Sequence, residues 1–185
     1  MVVLTLVLAA CSAPPALVGT EITPTAAPDF TLTDGISGRP TTLSAFKGKV
    51  VVLAFLYAHC PDVCPLTAEQ FRQAQQRLTG EERDGTMFVA VSVDPRQDTP
   101  EAVQAFAKDH GLVKNFAFLI GGAAQLQAVW AAYGIRTETD PSVAEVGHSD
   151  AIYLFDRKGR VRLLVHSNIS AVDLATDVKA LSAER

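Results

Sequence analysis

At 185 residues, 48% of them apolar and 19% charged, the chain is long enough to form one globular domain with a real core. Its net charge of −4 is mild and no basic stripe occurs, which argues against nucleic acid as a partner. There is no internal repeat, and no apolar stretch reaches the length of a membrane-spanning helix.

The first eleven residues, MVVLTLVLAAC, read as a leader rather than as part of the fold. Residues 2–10 have the length and apolarity of a signal-peptide core. Leu8-Ala9-Ala10-Cys11 resembles the lipobox of bacterial lipoproteins, where cleavage leaves the cysteine as a lipidated N-terminus. No Lys or Arg precedes Arg39, so the positive flank of a signal peptide is missing and the true start is expected upstream of the one given. Residues 12–28, rich in Pro, Ala and Thr, read as a flexible tether, and residues 29–185 as the domain. Export changes the meaning of the cysteines. With Cys11 consumed by lipid, only Cys60 and Cys64 remain, and a single pair is not the framework that small secreted domains use.

Within the domain, residues 29–32 and 43–49 flank a glycine-containing turn and predict a small N-terminal hairpin. Residues 50–58, VVVLAFLYA, form a continuous apolar run of strand length, suited to a central strand buried on both faces. Pro65 suits the first turn of a helix carried over residues 66–78, with Gly80 just beyond. Residues 87–93 predict the next strand. Thr99-Pro100-Glu101 then supplies an N-cap, a first-turn proline and a first-turn acid for a helix stopped by Gly111. A strand over 116–120, a helix over 123–133, a hairpin of 152–155 with 161–166 around Asp156-Arg157-Lys158-Gly159, and a helix over 171–181 complete the order. Alternating strands and helices imply an α/β fold with a mostly parallel central sheet flanked by helices. Ligands in such sheets gather beyond the C-terminal ends of the strands, where Cys60 lies.

The stretch H-C-P-D-V-C-P at 59–65 holds the chemistry. A cysteine at a helix start meets unpaired N–H groups and the positive end of the helix dipole, both of which favour thiolate. Residues four apart near such a start can bring their sulfurs to a disulfide or to one metal ion, and geometry alone does not choose. An inert staple is disfavoured, because closing so short a loop adds little stability. Thiolates suit Cu(I) or zinc, and two of them leave a metal site incomplete. Of the four histidines, His110 ends a helix, His166 ends an apolar strand, and His59 would have to turn back to share an ion with its neighbour. His148, in the loop VGHSD before the strand at 152, is the candidate third ligand, with Gly147 permitting close backbone approach. Asp62 reads as solvated, Asp94-Pro95 as a turn, and Asp98 or Thr99 as the cap of the following helix. His148-Ser149-Asp150 cannot be a hydrolase triad, since consecutive residues do not converge.

Three stretches resemble the Sco/SenC family of copper-binding, thioredoxin-like proteins: H-C-P-D-V-C-P (59–65), V-S-V-D-P-R-Q-D-T-P (91–100) and G-H-S-D-A-I-Y-L-F-D (147–156), with A-P-D-F-T-L at 27–32. The resemblance implies a thioredoxin-like fold and copper binding through Cys60, Cys64 and His148, as Cu(I) and, with a further ligand, Cu(II). It implies a metallochaperone of the bacterial cell envelope, extracytoplasmic and lipid-anchored, serving the CuA centre of cytochrome c oxidase. Its partners would be oxidase subunit II or another copper-receiving protein, and a thiol reductant protein. The alternative is a thiol–disulfide oxidoreductase that uses Cys60 and Cys64 to keep target cysteines reduced. The family usually has an acid just before the histidine. Here that position is Gly147, which would leave the orienting role to Asp150 or Glu145.

Overall fold

The computed structural model describes residues 16–112, 114–139 and 146–184. The leader, Cys11 and Glu145 therefore lie outside the described residues. The sheet is built around β4 (Val50–Leu56), whose seven residues are all buried. Beside it run β5 (Thr86–Ser92) and β6 (Phe116–Ile120), parallel to β4 and to each other. Two helices lie between β4 and β5 in sequence, α1 (Val63–Arg77) and α2 (Gly80–Asp84), and α3 (Pro100–Asp109) lies between β5 and β6. Crossovers of this kind are what parallel neighbours require.

The remaining strands turn back. Beyond β6 lie β2 (Thr31–Asp34) and β3 (Pro40–Thr42), an N-terminal hairpin as expected, but its second strand precedes the expected 43–49, of which Leu43–Phe46 form a 3-10 turn. On the other side of β4 lie β9 (Ile152–Phe155), β10 (Arg160–Val165) and finally β1 (Thr20–Ala26), each antiparallel to its neighbour. The order is β1-β10-β9-β4-β5-β6-β2-β3. The sheet is thus mixed and not mostly parallel, because short hairpin turns reverse the chain at both flanks and only the helical crossovers preserve direction. One such turn ends on Gly159 at φ 76, the left-handed region that glycine enters freely.

Two further differences from expectation concern the ends of elements. The tether reading of residues 12–28 extends too far, since Thr20–Ala26 form the edge strand β1. Helix α1 starts at Val63, two residues before the expected opening at Pro65, and Pro65 does sit in its first turn, where the N–H it lacks would have no intrahelical partner anyway. α4 (Ala123–Ala132) and α5 (Ala171–Ala183) fall where predicted, α5 lying against α1. β7 (Thr137–Thr139) and β8 (Val146–His148) make a separate two-stranded ribbon. Among the described residues no helix is long and apolar enough to cross a membrane.

Candidate metal centre

β4 runs into the site end of the sheet, and β9, antiparallel to it, begins there. This geometry brings the loop that carries His148 to the same end as the cysteines. Past β4 the chain turns at once: the Cys60 N–H donates to the Tyr57 carbonyl at 3.3 Å. Cys60 therefore sits in the turn before α1, not on the helix, while Cys64 occupies its first turn and is fully buried. The Cys64 N–H, one of the amides a helix start leaves unpaired, donates to Cys60 Sγ at 3.4 Å.

The two sulfurs are unequal. Cys60 is held down at about 5, first by a hydrogen bond from the Cys64 thiol, then by the N–H groups of Asp62 and Cys64 and the Tyr57 hydroxyl, against the opposing effect of burial. The hydrogen bond to Cys60 and burial push Cys64 far above the ordinary thiol range. Cys60 is thus a partly exposed thiolate at neutral pH, and Cys64 its buried proton-bearing partner. Burial raises the Tyr57 phenol to about 12, so its hydroxyl stays protonated and donates.

His148 lies on β8, half-buried, with its ring edge-on to Tyr57 at 6.1 Å between centroids. Its Nδ1 is 3.0 Å from the Ser149 carbonyl oxygen. A carbonyl only accepts, so Nδ1 carries the proton and Nε2 presents a lone pair, the tautomer a ligating imidazole needs. Orientation thus comes from a backbone carbonyl. Asp150 does not serve the imidazole, because its carboxylate accepts from the Ser167 N–H at 3.0 Å and the Ser167 hydroxyl at 2.8 Å. A Cβ at Gly147 would lie 3.6 Å from the Glu138 Cβ, its cross-strand neighbour, so an acid there would face a like charge.

The structure brings Cys60 and Cys64 together and sets His148 one aromatic ring away. Among the described residues no three His, Cys, Asp or Glu side chains are already gathered as a metal cluster. The other histidines stand apart: His59 is exposed, His110 caps α3 against the Phe106 ring, and His166 pairs its Nδ1 with the Asp150 carbonyl. Asp62 is exposed.

Two site residues escaped the sequence reading. Tyr57 looks like the tail of an apolar strand, yet its hydroxyl reaches β8 and accepts the Val146 N–H at 3.4 Å, while its ring stands edge-on to His148. Asp98 is not the cap of α3; Thr99 is, accepting from the Ala102 N–H at 3.3 Å. The Asp98 carboxylate is buried, accepts from the Ala58 N–H at 2.8 Å and the Ser92 hydroxyl at 2.5 Å, and its charge reaches Cys64. The available signal was its place beyond the C-terminal end of a parallel strand. Asp94 forms the expected turn, accepting from the Arg96 N–H at 3.1 Å.

Comparison with known proteins adds the lineage. A protein of Stutzerimonas stutzeri named for copper binding is 30% identical over 141 residues, spanning 74% of this chain and 67% of that one. Mitochondrial relatives from yeast and cattle are matched over about half of their length. The apo Sco1 protein of Thermus thermophilus superposes with a TM-score of 0.80 at 28% identity, covering 92% of this chain and 99% of that one. Copper-bound ScoI of Bradyrhizobium japonicum gives 0.73 at 27% identity, covering 84% and 98%. A SCO1/SenC family lipoprotein of Bacillus anthracis gives 0.73 at 27% identity, covering 86% and 97%. The SCO1/SenC family model matches residues 19–183, nearly all of the described chain, and the protein belongs to that family.

Proposed function

We propose that this protein is an extracytoplasmic copper carrier that takes up Cu(I) as cargo through Cys60, Cys64 and His148 and passes it to a membrane-bound recipient. The observation that carries the reading is the His148 ring: its Nδ1 is committed to the Ser149 carbonyl, which leaves Nε2 for a metal, and the ring stands edge-on to Tyr57, the residue that follows β4 on the way to Cys60. Two soft thiolates and one imidazole suit a three-coordinate Cu(I), which is open to ligand exchange with a receiving protein. Structural zinc sites take four protein ligands, one more than this set offers. Loading requires Cys64 to lose its proton and His148 to close on the sulfurs. The resemblance that assigns this ligand set also supplies the recipient, the CuA centre in subunit II of cytochrome c oxidase. Cys11, in its lipobox-like setting, supplies the membrane anchor, consistent with the lipoprotein among the similar structures.

A second reading is favoured by the inequality of the sulfurs. The Cys60 thiolate attacks one sulfur of a target disulfide, whose other sulfur leaves and takes up a proton. Cys64 then loses its proton and attacks Cys60, releasing the second target thiol as the Cys60–Cys64 disulfide forms; a thiol reductant protein restores the pair.

Titration of the reduced protein against a competing Cu(I) chelator separates the two. One Cu(I) per chain is expected. Cys60→Ser and Cys64→Ser should weaken binding by orders of magnitude and His148→Ala by about 10- to 100-fold, while His59→Ala and His166→Ala change little. Unchanged affinity in His148→Ala would leave only the reductase reading.

A further inference from the structure

We infer that the copper end of the domain rests on a lipid bilayer through Val18, Leu66 and Val172, a role that deepens the copper-carrier reading and rests on its Cys11 anchor. Among the described residues these are the large apolar side chains left exposed, at 53%, 51% and 56%. They lie far apart in sequence, yet the fold sets all three at one end. Leu66 is in the first turn of α1, just past Cys64, where the chain has left β4. Val172 is in the first turn of α5, which follows β10, a strand running the same way as β4. Val18 precedes β1, whose head at Thr20 pairs with Leu164 near that same end of β10. Hydrogen bonds join the three elements. The Gln70 amide on α1 donates to the Ser167 carbonyl before α5 at 2.6 Å, and the Asp177 carboxylate on α5 accepts the Val18 N–H at 2.6 Å. Leu17, next to Val18, and Ile169, just before α5, lie half-buried against the core and continue the apolar surface inward.

Exposed apolar side chains scattered singly need no explanation, but a set collected at one end of a domain does. The course of the chain names the occupant. The path to Cys11 leaves from Val18 through residues 12–18, so a lipid on Cys11 turns this end, and not the opposite one, towards the membrane. Charge fits the same occupant. The acids Asp62 and Asp173 flank the first turns of α1 and α5, so the contact is made by inserting apolar side chains and not by drawing basic ones to anionic headgroups. Three side chains bury too little to hold a domain from solution. On a short tether they face the surface at high local concentration, and a weak contact then suffices. Cys60, partly exposed at this end, is thereby carried at the level of the headgroups, in the plane where a membrane-bound recipient moves.

The test uses methyl-labelled protein, lipidated at Cys11 or coupled there to a maleimide lipid with Cys60 and Cys64 protected as their disulfide. It is placed on phosphatidylcholine nanodiscs that carry a nitroxide-headgroup lipid. Broadening by the nitroxide should be about fivefold stronger or more at the Leu66 and Val172 methyls than at Met87, which lies near the start of β5 at the opposite end. Val172→Gln should relieve the broadening at Leu66 several-fold, and Leu66→Gln that at Val172, because the contacts lift off together. Both positions are exposed, so the fold is kept. Proximity through the tether alone would broaden Val18 most and leave Leu66 indifferent to Val172→Gln, and that outcome overturns the inference. So does broadening at Leu66 and Val172 no stronger than at Met87, which would leave these side chains to a protein partner. Mass spectrometry of the cell-derived chain tests the anchor by itself: a Cys11 without lipid ends the anchored reading, whereas the coupled protein still decides whether this end lies on lipid.

Discussion

Burial holds the Asp98 carboxylate up at about 6, with the neighbouring Asp94 charge adding to the effect and the hydrogen bonds from Ser92 and Ala58 opposing it. For an acid raised in this way the folded state binds the proton more tightly than the unfolded state. Stability therefore rises as pH falls from about 6 towards the ordinary carboxylate value, and at neutral pH the buried charge weighs against the fold. Asp98→Asn should consequently raise the melting temperature at pH 7.5, by an amount equivalent to about 1–2 kcal/mol, and the gain should vanish near pH 4. The amide oxygen can still accept from Ala58 while its NH2 donates to Ser92 Oγ, so the turn before Cys60 stays pinned. A melting temperature that falls at pH 7.5 would show that the charge is needed for the turn itself. The cysteines and His148 were legible because their residue types are rare and chemically loaded. Asp98 and Tyr57 were not, since capping aspartates and strand-end tyrosines are common and only the fold shows where their oxygens point.

At the scale of elements, legibility followed hydrophobic pattern and punctuation. β4, β6 and β9 were plain from unbroken apolar runs, and α3 from its Thr99 cap and the glycine at 111 with φ 68. β1 was hidden because TEITPTA is almost wholly exposed on an edge, with no buried face to impose a period of two. β7 and β8 were hidden because three residues carry no period at all. What holds β1 is partly a single side chain on α5. The buried Asp177 carboxylate accepts the Val18 N–H at 2.6 Å and the Gly19 N–H at 3.0 Å. A Cβ on Gly19 would lie 2.5 Å from Val165 Cγ1, so the chain passes too closely here for any larger residue without a shift. Asp177→Asn keeps one acceptor and turns an NH2 towards the other amide. It should free the head of β1, costing about 1–3 kcal/mol locally and exposing the chain before Thr20 to proteases, while the Cu(I) affinity stays as it was. Protease resistance equal to that of the native sequence would show that the β1–β10 ladder suffices without the clamp.

Over the whole molecule, strand directions decide where the tether leaves. β10 runs the same way as β4, and β1 is antiparallel to β10 with Thr20 opposite Leu164. The head of β1 therefore lies at the C-terminal end of β4, the end that carries Cys60, and Val18 is the point where Asp177 fixes the incoming chain. If Cys11 bears the lipid, residues 12–18 can span at most roughly 25 Å when fully extended, so the copper-bearing end of the domain is kept close to the membrane surface. Such a tether raises the effective concentration of the site at a membrane-bound recipient, an advantage that falls with tether length. Inserting about twenty Gly and Ser residues within 12–18 should leave Cu(I) affinity unchanged and slow copper delivery to a membrane-embedded recipient several-fold. On the proposed lipid anchor, Cys11→Ser should release the domain from the membrane and slow delivery further. Copper transfer to oxidase-containing vesicles, followed by the growth of CuA absorbance, provides the measurement. Delivery that proceeds equally fast with the long tether would show that the position of the tether at the copper end has no bearing on transfer.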